Sequence, residues 1–271
     1  MREPAAQPLG AYVRSIGVLG PGLADWPSAA AVLAGERPYV PAATAVPPPA
    51  ALPPAERRRT GETVRLALAA GLEAVTRASA DAQRLATVFA SSGGDGVICD
   101  EICSTLASAH REISPTRFHN SVHNAASGYW SIALRAAAPS TSLCAYDGSF
   151  AAGLLEALTQ MAATGEPVLL IAYETTYPEP LNAKRPLAGA FAVALLLEPR
   201  PAEGVCARLE AGLVREAPDA LGQPALEALR AGVPAARSLP LLRLISRRDT
   251  GRVVLDYLAD LRLAVTVIRC P

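Results

Sequence analysis

The chain has 271 residues, 51% of them hydrophobic but only 5% aromatic, and its 25 basic side chains balance 25 acidic ones. Zero net charge gives no long-range field to draw in nucleic acid or an anionic membrane surface. No apolar run reaches the roughly 18 residues of a membrane span. Nucleic acid and membrane are therefore excluded as partners, leaving a globular protein long enough to bury about three quarters of its unfolded surface. Met1 to Gly10 carries Arg2, Glu3, Pro4 and Pro8 and no apolar stretch with a small-residue cleavage site, so the expectation is a protein without a signal peptide, in the cytoplasm. Five dispersed cysteines (Cys99, Cys103, Cys144, Cys206, Cys270) are an odd number, and reduced thiols are expected. The single lysine, Lys184, accompanies an excess of Arg, Ala and Pro and carries no functional reading.

Tyr12 to Leu19 reads as an opening strand that ends at the Gly20 to Gly22 turn, and Asp25 to Leu33 as a short helix. Prolines between Pro38 and Pro54 exclude both a helix and a central strand, which leaves a connecting loop. Thr60 to Ala78 is the clearest helix, with Val64, Leu68, Leu72 and Val75 at helical spacing. Leu85 to Ala90 reads as a buried strand, SSGGDG (Ser91 to Gly96) as a loop, and Asp100 to His110 as helix. Asn120 to Arg135 is expected to be mainly helical, Thr141 to Ala145 a short strand, and Ser149 to Thr164 a helix capped by Asp147 or Ser149. Val168 to Tyr173 and Leu187 to Leu197 read as buried strands, Pro224 to Ala231 as helix, and Arg252 to Leu255 with Leu263 to Ile268 as a hairpin. Alternating strands and helices of these lengths predict an α/β layered fold with a largely parallel sheet.

The stretch from Phe118 to Leu158, with the Ser114-Pro115 phrase ahead of it, and the element order from Tyr12 to Pro199 resemble the N-terminal half of β-ketoacyl synthases of the thiolase fold. Within that family the chain is similar to the short chain length factors of aryl polyene pathways. The resemblance implies a thiolase-like half domain over residues 1–199; it gives little guide to 200–271, which are expected to form a C-terminal extension that packs on the same domain and covers a sheet edge otherwise left open. It also implies a role in polyketide, polyene or fatty-acid-type chain elongation, with a full-length ketosynthase as heterodimer partner, an acyl carrier protein as second partner, and no cofactor.

An active ketosynthase of this family presents a Cys at the N-terminus of a buried helix, where the macrodipole and free N–H groups stabilise the thiolate. Ungapped alignment of Gly153 to Ala157 with the family helix places Asp147 at that position, and Cys144 falls three residues early, inside the strand. The two catalytic His residues of the family belong to a second half that the resemblance does not cover, and His110, His119 and His123 match neither of them. The expected function is that of a non-catalytic homologue. In this reading Thr141 to Ala145 lies at the heterodimer contact, and Leu143, Phe150, Phe118 and Trp130 are candidate walls of the partner's acyl tunnel. His119, Asn120, His123 and Asn124 either help shape the same contact or hydrogen-bond with one another as internal scaffolding of a tight loop. The alternative is a stand-alone acyltransferase or thioesterase-like enzyme that uses Cys144 with His119 or His123 as base.

Blander readings stand beside these. His119 and His123, at i and i+4, could share a helix face, but no local carboxylate or Cys completes a metal site, and none is expected. Cys99 and Cys103 are expected as a buried pair on a helix face. The SSGGDG loop matches no phosphate-binding spacing and reads as a backbone turn. Arg57 to Arg59 and Arg247-Arg248 could meet an acidic carrier protein, although a solvated surface accounts for both.

Overall fold

The computed structural model describes residues 9–270, so most of the Met1 to Gly10 stretch read for a signal sequence lies outside the described residues. In chain order the chain forms β1 (Leu9–Leu19), α1 (Trp26–Ala34), α2 (Pro54–Arg57), α3 (Glu62–Ala78), β2 (Ala86–Ala90), α4 (Gly96–Ala107), α5 (Pro115–Asn120), α6 (Ala125–Leu134) and β3 (Ser140–Leu143). There follow α7 (Ser149–Thr164), β4 (Val168–Glu174), α8 (Leu181–Lys184), β5 (Phe191–Glu198), β6 (Ala207–Val214), α9 (Pro224–Gly232), α10 (Leu239–Ser246), β7 (Gly251–Asp256) and β8 (Arg262–Arg269). Asp25 starts α1 by accepting the Ser28 N–H at 2.8 Å, and Gly35 ends it in the left-handed conformation at φ 88°. Asp25→Ala is expected to cost about 1 kcal/mol in urea unfolding, the usual loss for an N-cap.

The strands form one sheet in the order β3-β2-β4-β5-β1-β6-β8-β7. Among the described residues only β3, β2 and β4 run parallel; the other pairings are antiparallel, which corrects the expectation of a largely parallel sheet. The reason lies between β4 and β5, where the connection holds only the four-residue α8 and therefore turns the chain back instead of crossing over. Residues 200–270 extend the sheet past β1: β6 pairs with it and the β7–β8 hairpin lies outside β6. At the outer edge one residue of β7 is taken up by the chain's own loop: the Val254 N–H donates to Asp219 Oδ2 at 2.7 Å and the Asp219 N–H donates to the Val254 carbonyl at 2.8 Å. At the opposite edge β3 pairs only with β2.

Helices cover both faces, which explains why β4 and β5 are apolar without alternation. Val168, Leu170 and Ala172 of β4 share a core with α1, α7, α9 and α10, while Leu169, Ile171 and Tyr173 point to the other face, against α3 and α6. Gly17 in β1 allows α3 to approach, since a Cβ there would stand 2.1 Å from the Ala70 carbonyl oxygen.

Three local expectations are corrected. The segment from Asn120 to Arg135 divides into α5 and α6, with a turn at Ser121 to Asn124 where Ser121 Oγ donates back to the Phe118 carbonyl. Helix α4 begins at Gly96, four residues early, because Asp95 accepts the Ile98 N–H. Strand β3 stops at Leu143, so Cys144 lies beyond it and is exposed.

Candidate functional site

The parallel strands β2, β3 and β4 end on one side of the sheet, and the loops that follow them converge there. Such carboxyl ends are where a layered α/β sheet opens a crevice. Three chain segments meet at this end: the Ser91 to Asp95 loop after β2, a 3-10 turn at Tyr146–Gly148 after β3, and the segment from Thr175 to Arg185 after β4.

Asp147, the residue at the expected nucleophile position, occupies that turn directly ahead of α7. Its Oδ1 accepts from Arg185 at 2.9 Å and its Oδ2 from Arg237 at 3.0 Å. Arg237 also meets Asp256 at 3.4 Å, and Asp256 pairs with Arg230 at 2.9 Å, which in turn holds Glu227 at 2.7 Å. Alternating charges thus run from the head of α7 to the C-terminal strands, and the Arg185 guanidinium stacks 3.6 Å above the Tyr146 ring. Asp147 or Ser149 was expected as a cap for α7, but the helix starts at Ser149 with Gly148 as its N-cap and no side-chain cap. The two arginines take up the carboxylate instead, and Ser149 Oγ ties the turn by accepting the Ala145 N–H and donating to the Tyr146 carbonyl. A cavity of about 350 Å³ opens beside the turn, bordered by Asp147, Gly148, Arg237, Asp256, Tyr257 and Arg262.

Glu174, which the sequence reading did not single out, ends β4 and is 2% exposed. It accepts the Ser92 backbone N–H and, at 2.9 Å, the Ser92 hydroxyl. Burial pushes its carboxyl up to about 7, against the two Ser92 hydrogen bonds and Arg185, which pull the other way. An acidic residue closing an otherwise apolar β-run was the available signal. The SSGGDG glycines also find their reason here: a Cβ at Gly93 or Gly96 would lie 2.2 or 2.3 Å from the Tyr177 side chain. The loop is glycine-rich because Tyr177 packs onto it.

The remaining candidates are dispersed. Nε2 of His123 lies 3.0 Å from the Ser91 carbonyl, and His119 packs edge-on against Tyr129 with ring centroids 6.4 Å apart. His119 lies in α5 and His123 in the turn that follows it, so the two share no helix face. Neither is hydrogen-bonded to Cys144 among the described residues. Asn120 is buried, donating to the Arg59 carbonyl and accepting from the Tyr129 hydroxyl, whereas Asn124 sits at the start of α6 with its carbonyl accepting from Ser127 Oγ. Phe150 is buried with the α7 core and half-buried Leu143 packs against it, but Trp130 is buried on the opposite face of the sheet and Phe118 is 65% exposed. These four side chains therefore line no single wall within this chain. Cys99 and Cys103 are exposed, contrary to the expected buried pair. Arg57 is engaged by the Ala50 and Leu52 carbonyls and Arg59 by Glu56.

Comparison with known proteins agrees with this architecture. The family model "Beta-ketoacyl synthase, N-terminal domain" matches residues 32–248, and the chain belongs to that family. It has the thiolase-like α/β fold of ketosynthase N-terminal domains. A chain from the complex of the ketosynthase ApeO with its chain length factor ApeC, from Xenorhabdus doucetiae, is 26% identical, with TM-score 0.71 over 94% of this chain and 98% of that one. The ishigamide ketosynthase/chain length factor shares the fold at 14% identity and TM-score 0.71, covering 96% of this chain and 99% of that chain. A type II polyketide ketosynthase in complex with its acyl carrier protein (AntDE:AntF) does so at 13% identity and TM-score 0.74, covering 97% and 100%. No curated protein sequence matches the chain. No helix is long and apolar enough to cross a membrane among the described residues.

Proposed function

We propose that this chain is a non-catalytic, chain-length-factor-type subunit that pairs with a full-length ketosynthase and limits acyl chain elongation on an acyl carrier protein. The observation that carries this reading is the state of Asp147. The head of α7 holds a carboxylate pinned between Arg185 and Arg237, and a carboxylate in two charge-assisted hydrogen bonds is no acyl acceptor for thioester chemistry. Family membership and the likeness to the ApeO–ApeC complex support the same reading.

The partner meets the β3 edge and the outer side of α5 and α6, where Phe118, Val122 and Ile132 are exposed. Against the partner's tunnel a rigid acyl chain stops where further extension would clash with the apposed side chains. In the same reading the ketosynthase-like part is residues 1–199 and the extension 200–271, whose β6, β7 and β8 lie at the end of the sheet opposite β3.

The deciding experiment is native mass spectrometry after co-expression with a candidate ketosynthase and its carrier protein. A one-to-one complex with acyl groups on the partner alone is expected. A monomer or homodimer of this chain acylated at Cys144 would overturn the proposal and make it an enzyme in its own right. Phe118→Asp is expected to weaken the complex at least roughly tenfold while leaving the chain's own melting temperature unchanged, as for an apolar anchor at an interface centre.

A further inference from the structure

Cys206 stands immediately before β6 and Cys270 immediately after β8. The antiparallel ladder between these strands runs from Val214 opposite Arg262 to Ala207 opposite Arg269, and one further step sets Cys206 opposite Cys270. Directly opposed residues on antiparallel strands have Cα atoms roughly 4.5–5.5 Å apart, inside the roughly 4.4–6.8 Å that a disulfide spans. Both thiols border one cavity of about 450 Å³, together with Arg77, Arg248 and Arg269. Neither is fully exposed, unlike Cys99, Cys103 and Cys144.

We propose that Cys206 and Cys270 are a modification site, a cross-strand dithiol that a peroxide converts to a disulfide. The cavity borders both residues and admits a small neutral oxidant. Cys206 donates its S–H to the Val13 carbonyl at 3.1 Å, and burial pushes its thiol up to about 11, so it waits as the neutral resolving thiol. Cys270 attacks one peroxide oxygen as thiolate, the O–O bond breaks, and protonation of the leaving hydroxide gives water and a Cys270 sulfenic acid. Cys206 then gives up its proton and attacks the sulfenic sulfur; the S–O bond breaks and a second water leaves. Two thiols and one hydrogen peroxide thus become one disulfide and two waters. The product staples the start of β6 to the end of β8 and closes a loop that contains the whole C-terminal part of the sheet.

The test uses the full chain, treated with hydrogen peroxide, alkylated under native conditions and digested without reductant. The expected result is a loss of about 2 Da per chain with a linked Cys206–Cys270 peptide, and a melting temperature raised by roughly 5 °C or more that dithiothreitol returns to its starting value. Cys206→Ser and Cys270→Ser should each abolish the linked peptide and the shift. Recovery of Cys206 and Cys270 as separately alkylated peptides, or linked to Cys99, Cys103 or Cys144, would overturn the proposal.

Discussion

Raising the pH from about 5 to about 8 is expected to destabilise this protein through Glu174, and Glu174→Gln to remove that part of the slope. The folded carboxyl titrates near 7, well above an exposed carboxylate, because burial at the end of β4 penalises its charge. Between the unfolded and folded values the native state holds a proton that the unfolded state has lost, so stability falls as pH rises through that window and levels off above it. The gap corresponds to on the order of 3 kcal/mol between the plateaus. Asp147, Arg185, Tyr173, Tyr177 and Asp95 face the same region and persist in the variant, so the informative quantity is the difference between parent and Glu174→Gln curves in urea at pH 5, 6.5 and 8. Parallel curves would show that Glu174 is not the titrating group.

Trp130→Ala is expected to cost about 3–5 kcal/mol, against no more than roughly 1.5 kcal/mol for Trp130→Phe. The indole is 1% exposed and meets Phe89 edge-on with centroids 6.3 Å apart, and it fills the space over Gly71, where a Cβ would come within 2.6 Å of the ring. Its Nε1–H is buried without a hydrogen-bond partner, so Phe sacrifices no hydrogen bond and keeps most of the packing. Equal losses for the two variants in chemical denaturation would contradict a packing role. The result bears on the proposed assembly as well, because Trp130 holds α6 onto the sheet and so fixes where Ile132, on the same helix, is exposed.

The elements were legible wherever one face or both had to be apolar. VLLIAYE and the α3 repeat announce their burial in any window, and the proline run between Pro38 and Pro54 permits nothing but a loop. Strand direction was not legible, because a strand buried on both faces reads alike in parallel and antiparallel sheets; the short β4–β5 connection decided it. The family resemblance drew notice to Asp147, yet its partners Arg185 and Arg237 lie 38 and 90 residues away and carry no local signature. Glu174 was missed for a similar reason: its meaning comes from Ser92, 82 residues distant. Local pattern records what a segment buries, and the pairing of distant charges appears only when the sheet brings loop ends together.

Asp219, lying along the outer side of β7, also bears on stoichiometry. A sheet with two open margins can add copies without end, as a filament does. Here Asp219 from the chain's own loop occupies one margin at Val254, and β3 is the margin free of such a contact. Under the pairing proposed above, joining at β3 uses that margin in both partners, and a third copy finds no second β3 to pair with.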